Sequence, residues 1–217
     1  MPLIYFKEEE KDMDSRLRWA LLTLAVLIAA LAVQPAAAHV GGGGLPGVGL
    51  PATKGAERLV TAADPRFDVL VFSRTTGFRH TDAIDAGKTA IAAMGTAQNF
   101  SVTATEDATQ FNDATLRPYE VIVMLHPDGE GILNATQRTA YERWLQRGKG
   151  VVGIHAAANA DRDWDWMTDL RGGSLFLNHP SGANQFQQAT VKIVDPNHPA
   201  TQGIPADWVR TDRVCAL

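Results

Sequence analysis

The sequence predicts a single α/β domain built on an open, doubly wound, mostly parallel sheet. Two observations carry that expectation. Asp68–Phe72, Val121–Leu125 and Val151–Ile154 are continuous aliphatic or β-branched runs. Alternation would mark a sheet with one wet face, whereas unbroken runs fit strands covered on both faces by helices. Helical patterns lie between them, and strand alternating with helix is the signature of a doubly wound sheet.

The elements follow in order. Trp19–Val33 is an uncharged run of fifteen residues, with Arg16 and Arg18 before it and Gln34-Pro35-Ala36-Ala37-Ala38 after it. A charged start, a short apolar stretch and a small-residue cut site make a secretory signal over residues 1–38, with Met13 as an alternative start. Fifteen residues fall short of the ~20 that a bilayer span requires, so export to the cell envelope or beyond is the expectation, with an uncleaved anchor as the alternative. The Gly/Pro-containing residues 39–66 read as a flexible leader, so folded structure is expected from Phe67 over residues 67–217.

Within that domain, Ile84, Gly87, Ile91 and Gly95 recur at helical spacing behind Thr81-Asp82, which reads as the cap. Phe100–Thr105 alternates and suits an edge strand. Asn134 with Gln137 resembles a capping box, and Tyr141, Trp144 and Leu145 then form one apolar face closed by Arg147-Gly148. Gln188–Val194 is a further strand.

Composition excludes several function classes. The 217 residues carry 20 basic and 24 acidic side chains, a formal net charge of −4, with no basic run for a nucleic acid. Cys215 is the only cysteine, which rules out an internal disulfide framework and zinc-ribbon patterns. No G-x-S-x-G, G-x-G-x-x-G or G-x-x-x-x-G-K-[ST] occurs, so acyl transfer through a serine elbow and nucleotide phosphate binding lose their signatures.

Ligands of open α/β sheets bind beyond the carboxyl ends of the strands. The first buried strand runs into Ser73–His80, the second into His126-Pro127-Asp128-Gly129, the third into His155–Asn159. A histidine therefore follows each, and if the strands are neighbours, three imidazoles and Arg79 share one rim. Imidazoles titrating near neutrality serve as general acid and base or as metal ligands, and the residues leave a divalent metal open. His198-Pro199 reads as a turn. Trp164-Asp165-Trp166 places one tryptophan inward and one toward the cleft, where it would form a platform for a sugar, while Arg171-Gly172-Gly173 reads as exposed.

Several motifs, in order and with matching gaps, resemble the trehalose-utilisation (ThuA-like) family. They are Val69–Ser73 with Gly77-Phe78-Arg79-His80, Ala104–Asp107, Gly153–Ala158, Trp164-Asp165-Trp166, His179-Pro180, Asp195–Thr201 and Trp208–Asp212. The resemblance implies a flavodoxin or class I glutamine amidotransferase-like fold in which His155 stands where an amidotransferase has its cysteine, so amidotransferase activity is not expected. It further implies catabolism of disaccharides or keto-glycosides, with a small carbohydrate as partner and further carbohydrate-related modules in longer relatives. His155, His80 and Arg79 are then the candidate catalytic residues. Trp164, Trp166, His179 and Asp128 are the candidate substrate-binding residues, and His80, His155 and His179 are the set for any metal. His126-Pro127 departs from the small Ser/Thr-Gly turn more usual in the family, so the resemblance does not carry His126. The family pattern also continues past Asp212, where this chain reads Arg213–Leu217, so the domain is expected to be incomplete at its C-terminus. The alternatives are a non-catalytic carbohydrate-binding module and a truncated product without activity of its own.

Overall fold

A computed structural model describes residues 55–173 and 186–212. The signal-type segment, His179 and Cys215 lie outside these residues. In chain order the elements are β1 (Glu57–Val60), β2 (Asp68–Phe72), α1 (Thr81–Gln98), β3 (Ser101–Thr105) and the short α2 (Asp113–Leu116). They continue with β4 (Val121–Leu125), α3 (Ala135–Gln146), β5 (Gly150–Ile154), α4 (Asp165–Leu170), β6 (Gln187–Lys192) and β7 (Asp207–Asp212).

Five strands form one sheet in the order β1-β3-β2-β4-β5. The β2/β3, β2/β4 and β4/β5 pairs are parallel, and β1 runs antiparallel to β3. The chain steps from β2 outward to β3 and then crosses back to β4 on the other side, so β2 and β4 flank the point where the winding reverses. That is where a doubly wound sheet opens a crevice. β6 and β7 pair antiparallel in a separate two-stranded sheet.

The unbroken apolar runs do bury both faces. Successive residues of a strand point to opposite sides. Leu70, Phe72, Ile122 and Met124 thus meet Phe111, Tyr141, Trp144 and Met167 on one face. On the other, Val69, Val71, Val121 and Val123 meet Ile91, Met94, Phe100 and Val102. Helix α1 covers the second face, while α3 and α4 cover the first. The Asn134–Gln137 capping box forms as the sequence indicates, with Gln137 N–H donating to Asn134 Oδ1 at 3.0 Å and Asn134 N–H donating to Gln137 Oε1 at 2.9 Å.

Three expectations are corrected. Residues Glu57–Val60, assigned to the flexible leader, form β1 on the sheet. β3 is consequently not an edge strand, and all five of its residues are buried. Its alternating hydroxyls imitated a wet face because they are satisfied internally. Ser101 Oγ accepts from Ala62 N–H (3.3 Å), and Thr105 Oγ1 accepts from Asp107 N–H (3.0 Å). Finally, the cap of α1 is His80 rather than Thr81-Asp82, and its imidazole makes no capping bond to the helix.

Gly95, on the buried stripe of α1, shows how tightly that helix sits. A Cβ there would lie 2.8 Å from both Phe100 O and Val102 Cγ2. The carbonyl belongs to the backbone entering β3 and cannot swing aside. Gly95→Ala gains helix propensity of at most ~1 kcal/mol, but overpacking of this kind costs about 1–3 kcal/mol. Net destabilisation, read as a lower Tm in thermal denaturation, is the expected outcome.

Candidate functional site

The three buried strands end beside one another, and each delivers an imidazole. Leu125 and Ile154 are register partners, so His126 and His155 occupy equivalent positions one residue past β4 and β5. His126 N–H donates to Ile154 O at 3.3 Å. Both histidines adopt φ of +52°, the left-handed region that a residue with a side chain seldom occupies. Such strain persists only where the surroundings enforce it, and it aims both side chains back over the strand ends. His80, at the N-terminus of α1, completes the group.

The ring centroids are separated by 4.6 Å (His80–His155), 4.8 Å (His126–His155) and 5.2 Å (His80–His126). One nitrogen from each ring lies within 4.8 Å of the other two. His126 is only 8% exposed, and its Nδ1 is buried with no hydrogen-bond partner. Burial, reinforced by the neighbouring His155 and His80, pushes its pKa down to about 4. At neutral pH this imidazole is uncharged and offers one nitrogen lone pair. His80 and His155 are half-buried.

Asp128 organises the loops around this group. Its backbone oxygen accepts from Thr76 N–H (2.8 Å) and Gly77 N–H (3.0 Å). Its carboxylate accepts from Phe78 N–H at 2.9 Å and from Asn159 Nδ2 at 2.9 Å. Asp128, three residues past β4, thereby clasps the loop after β2 and the turn after β5. Both carboxylate oxygens of Asp128, a residue expected to bind substrate, are engaged in holding this frame. The fit is close, since a Cβ on Gly77 would fall 2.3 Å from Asp128 Oδ1 and 3.2 Å from Gly129 Cα.

Arg79, expected among the catalytic groups, pairs with Glu106 through both guanidinium nitrogens (3.0 and 2.8 Å), and Lys88 Nζ joins at 3.2 Å. Burial pushes the Glu106 carboxyl up, but the Arg79 hydrogen bond and the Lys88 charge outweigh it and leave the pKa below the usual range. Ser73 Oγ donates to Glu106 at 3.5 Å, tying this ion pair to the end of β2.

The tryptophans pack against the core. Trp164 is 8% exposed, and Trp166 is partly buried against the same core. Their rings stack on each other at 5.1 Å and lie 6.1 and 5.7 Å from Tyr141. Trp164 also donates Nε1–H to Glu142 (3.0 Å) and lies under the Arg138 guanidinium. Trp164 precedes α4 rather than belonging to it, so the different-face argument for residues two apart on a helix does not apply. Arg171, expected on the surface, is 4% exposed and donates to Ala157 O (3.1 Å) and Ala160 O (2.6 Å), buttressing the turn that carries His155. His198 accepts from Ala200 N–H through Nδ1 at 3.1 Å, a turn histidine as read from its proline.

His126 is the site residue that the sequence argument undervalued. The rule that a histidine follows each buried strand already marked it, whereas the family pattern did not. Phe78 was missed as an aromatic beside the imidazoles, because a lone phenylalanine in a polar loop carries no periodic signal.

The comparisons agree with this architecture. A family model described as ThuA, trehalose utilisation, matches residues 68–216. A solved ThuA-like protein from Bacteroides uniformis is similar, with a TM-score of 0.57 and 26% identity, over 70% of this chain and 61% of that one. The chain therefore spans less than two thirds of that relative's length. No curated protein matches. With a family match running from β2 past β7 and a mixed, mostly parallel sheet of the same kind, the chain belongs to the ThuA (trehalose utilisation) family.

Proposed function

We propose that this domain processes a carbohydrate at the His80–His126–His155 centre, and that the centre works by holding a divalent metal of the zinc class. The observation that carries this is the convergence of three imidazole nitrogens within 4.8 Å, one of them on the buried ring of His126, whose pKa is pushed down to about 4. Three imidazoles so close cannot all be charged, because like charges oppose each other's protonation. As neutral groups they form a nitrogen donor set, which suits a borderline ion such as Zn²⁺ and leaves a coordination position for water or substrate. A bound ion would supply Lewis acidity toward a carbonyl or hydroxyl of the sugar. The chain's own part is to fix the imidazoles: His126 and His155 through the strained turns after β4 and β5, and His80 through the start of α1. The N-terminal signal pattern supports export as the setting of this activity.

A metal-free reading, with His155 and His80 as general acid and base, is favoured by one observation. These two imidazoles are half-buried rather than buried, so they can exchange protons with solvent. For the binding-module alternative, Trp164 is buried in the core and Trp166 is partly buried against it.

Calorimetric titration of chelator-treated protein with zinc separates these readings. One zinc per chain is expected, with a raised Tm, because at one hundred times Kd a ligand adds about 2.7 kcal/mol. His155→Ala should lose both effects. Turnover of a disaccharide or keto-glycoside that persists in chelator, without zinc binding, would install the acid/base reading instead. Zinc binding without turnover or binding of any sugar would overturn the carbohydrate assignment.

A further inference from the structure

The carbohydrate reading requires an apolar surface against which a sugar ring can lie, and the tryptophans do not provide one. We propose that Phe78 is the sugar-binding platform of this site, taking the C–H face of a pyranose ring while the ring's reacting carbon faces the histidines. This inference rests on the carbohydrate reading above and adds the residue that recognises the substrate.

Three observations support it. Phe78 is 69% exposed, and its ring sits edge-to-face with His80 at 4.8 Å between centroids. The other exposed large apolar side chains among the described residues are Phe186, Val194 and Val209, which lie on or beside β6 and β7. Phe78 is the one of these four that follows β2 and packs its ring on His80.

The position is also enforced. The Phe78 N–H is fixed by the Asp128 carboxylate, the two preceding N–H groups by the Asp128 carbonyl, and Thr76 Oγ1 donates to Glu130 O at 2.8 Å. Gly77 has no room for a side chain against Asp128. A backbone held this firmly keeps Phe78 at the rim of the imidazole group, where the residue is 69% exposed. Pre-organised aromatic surface costs little order on binding, which is how such rings serve as anchors.

The surroundings select the occupant. A pyranose presents C–H groups on one face and hydroxyls around its rim, and it needs an aromatic face with polar groups beside it. The half-exposed Arg79–Glu106 pair supplies charged donors and acceptors adjacent in sequence to Phe78 and tied to the end of β2. A purely apolar ligand would leave that ion pair without use.

The test uses the full chain with trehalose, maltose, sucrose and cellobiose as probes, followed by saturation-transfer NMR titration. Phe78→Ala is expected to weaken binding on the order of tenfold, at the upper end of what one aromatic contact contributes. Tm should not change, since the ring lies outside the core, and one zinc per chain should still bind, since Phe78 supplies no ligand atom. Phe78→Trp should restore binding, which a merely structural role for the loop would not require. If the wild-type chain binds a probe and Phe78→Ala binds it equally well, the platform is wrong and the carbohydrate reading stands. If the wild-type chain binds none of the four sugars, the carbohydrate reading falls and the platform falls with it.

Discussion

His126→Gly is expected to abolish metal binding while making the metal-free fold more resistant to acid. The first half follows from losing one of three donors. Loss of an outer-shell partner alone typically costs 10–100-fold in affinity, so removal of a ligand should exceed about 100-fold. The second half follows from two features of the same residue. At φ +52° a side chain is strained and glycine is not, although glycine also gains freedom in the unfolded chain. These effects oppose each other and leave stability at neutral pH within about 1 kcal/mol of the wild type.

Acid sets them apart. With its pKa pushed down to about 4, native His126 stays neutral while the same imidazole in the unfolded chain takes up a proton below about 6.5. The unfolded state therefore binds more protons throughout that window, and native stability falls as pH falls. The contribution is complete above pH ~6.5, and up to about 3 kcal/mol of it is gone by pH ~4. Glycine has nothing to titrate, so the variant should keep about 2 kcal/mol more of its neutral-pH stability than the wild type at pH ~5. Urea unfolding of metal-free protein at both pH values measures this. Parallel acid losses in the two proteins would mean that His126 is not the desolvated group described here.

Asp161→Ala is expected to cost the fold about 3–5 kcal/mol, the range for breaking a buried ionic group. Asp161 is 2% exposed, follows the His155 turn and accepts from Ile132 N–H (2.9 Å) and Leu133 N–H (3.2 Å). Arg138 lies 3.2 Å from the same carboxylate. Alanine would strand two interior N–H groups at the entry to α3 and remove one of the two carboxylates facing Arg138. It would also place a residue without a polar side chain at φ +44°, a conformation that aspartate and asparagine tolerate better. Asp161→Asn keeps an acceptor and that backbone tolerance, so its loss should be smaller. Denaturant unfolding of the pair resolves the two contributions, and equal stabilities for Ala and Asn would show that the carboxylate's contacts do not matter. The effect should reach the site as well, because Asp161 N–H donates to Gly129 O at 2.8 Å and so joins the loops after β4 and β5.

Much of this fold was legible because parallel strands buried on both faces leave uninterrupted apolar runs. The bounds of β2 and β4 coincide with those runs. What escaped depends on partners distant in sequence. β1 is four residues beginning Glu-Arg behind a Gly/Pro-containing stretch, and only its ladder with β3 makes it a strand. The hydroxyls of β3 look solvent-directed until their hydrogen bonds are seen. Part of the site was readable for a local reason, since a histidine directly after a buried strand is visible in one dimension. The uses of Arg79, Asp128 and Arg171 were not, because Glu106, Phe78 and the Ala157 and Ala160 carbonyls become their partners only when the loops meet. Likewise, the sequence sends only one of Trp164 and Trp166 inward, because nothing local reveals that Tyr141 lies across from both.

The Asp128 clasp also governs how the site comes into being. Its partners stand far off along the chain, Phe78 at 50 residues and Asn159 at 31. Closing such loops costs chain entropy before any contact repays it, so these are late, non-local steps in folding. No contiguous fragment shorter than Thr76 through Asn159 contains the arrangement, although each histidine sits on a short peptide of its own. Imidazole geometry here is therefore a property of the finished sheet, gained in one cooperative step and lost the same way.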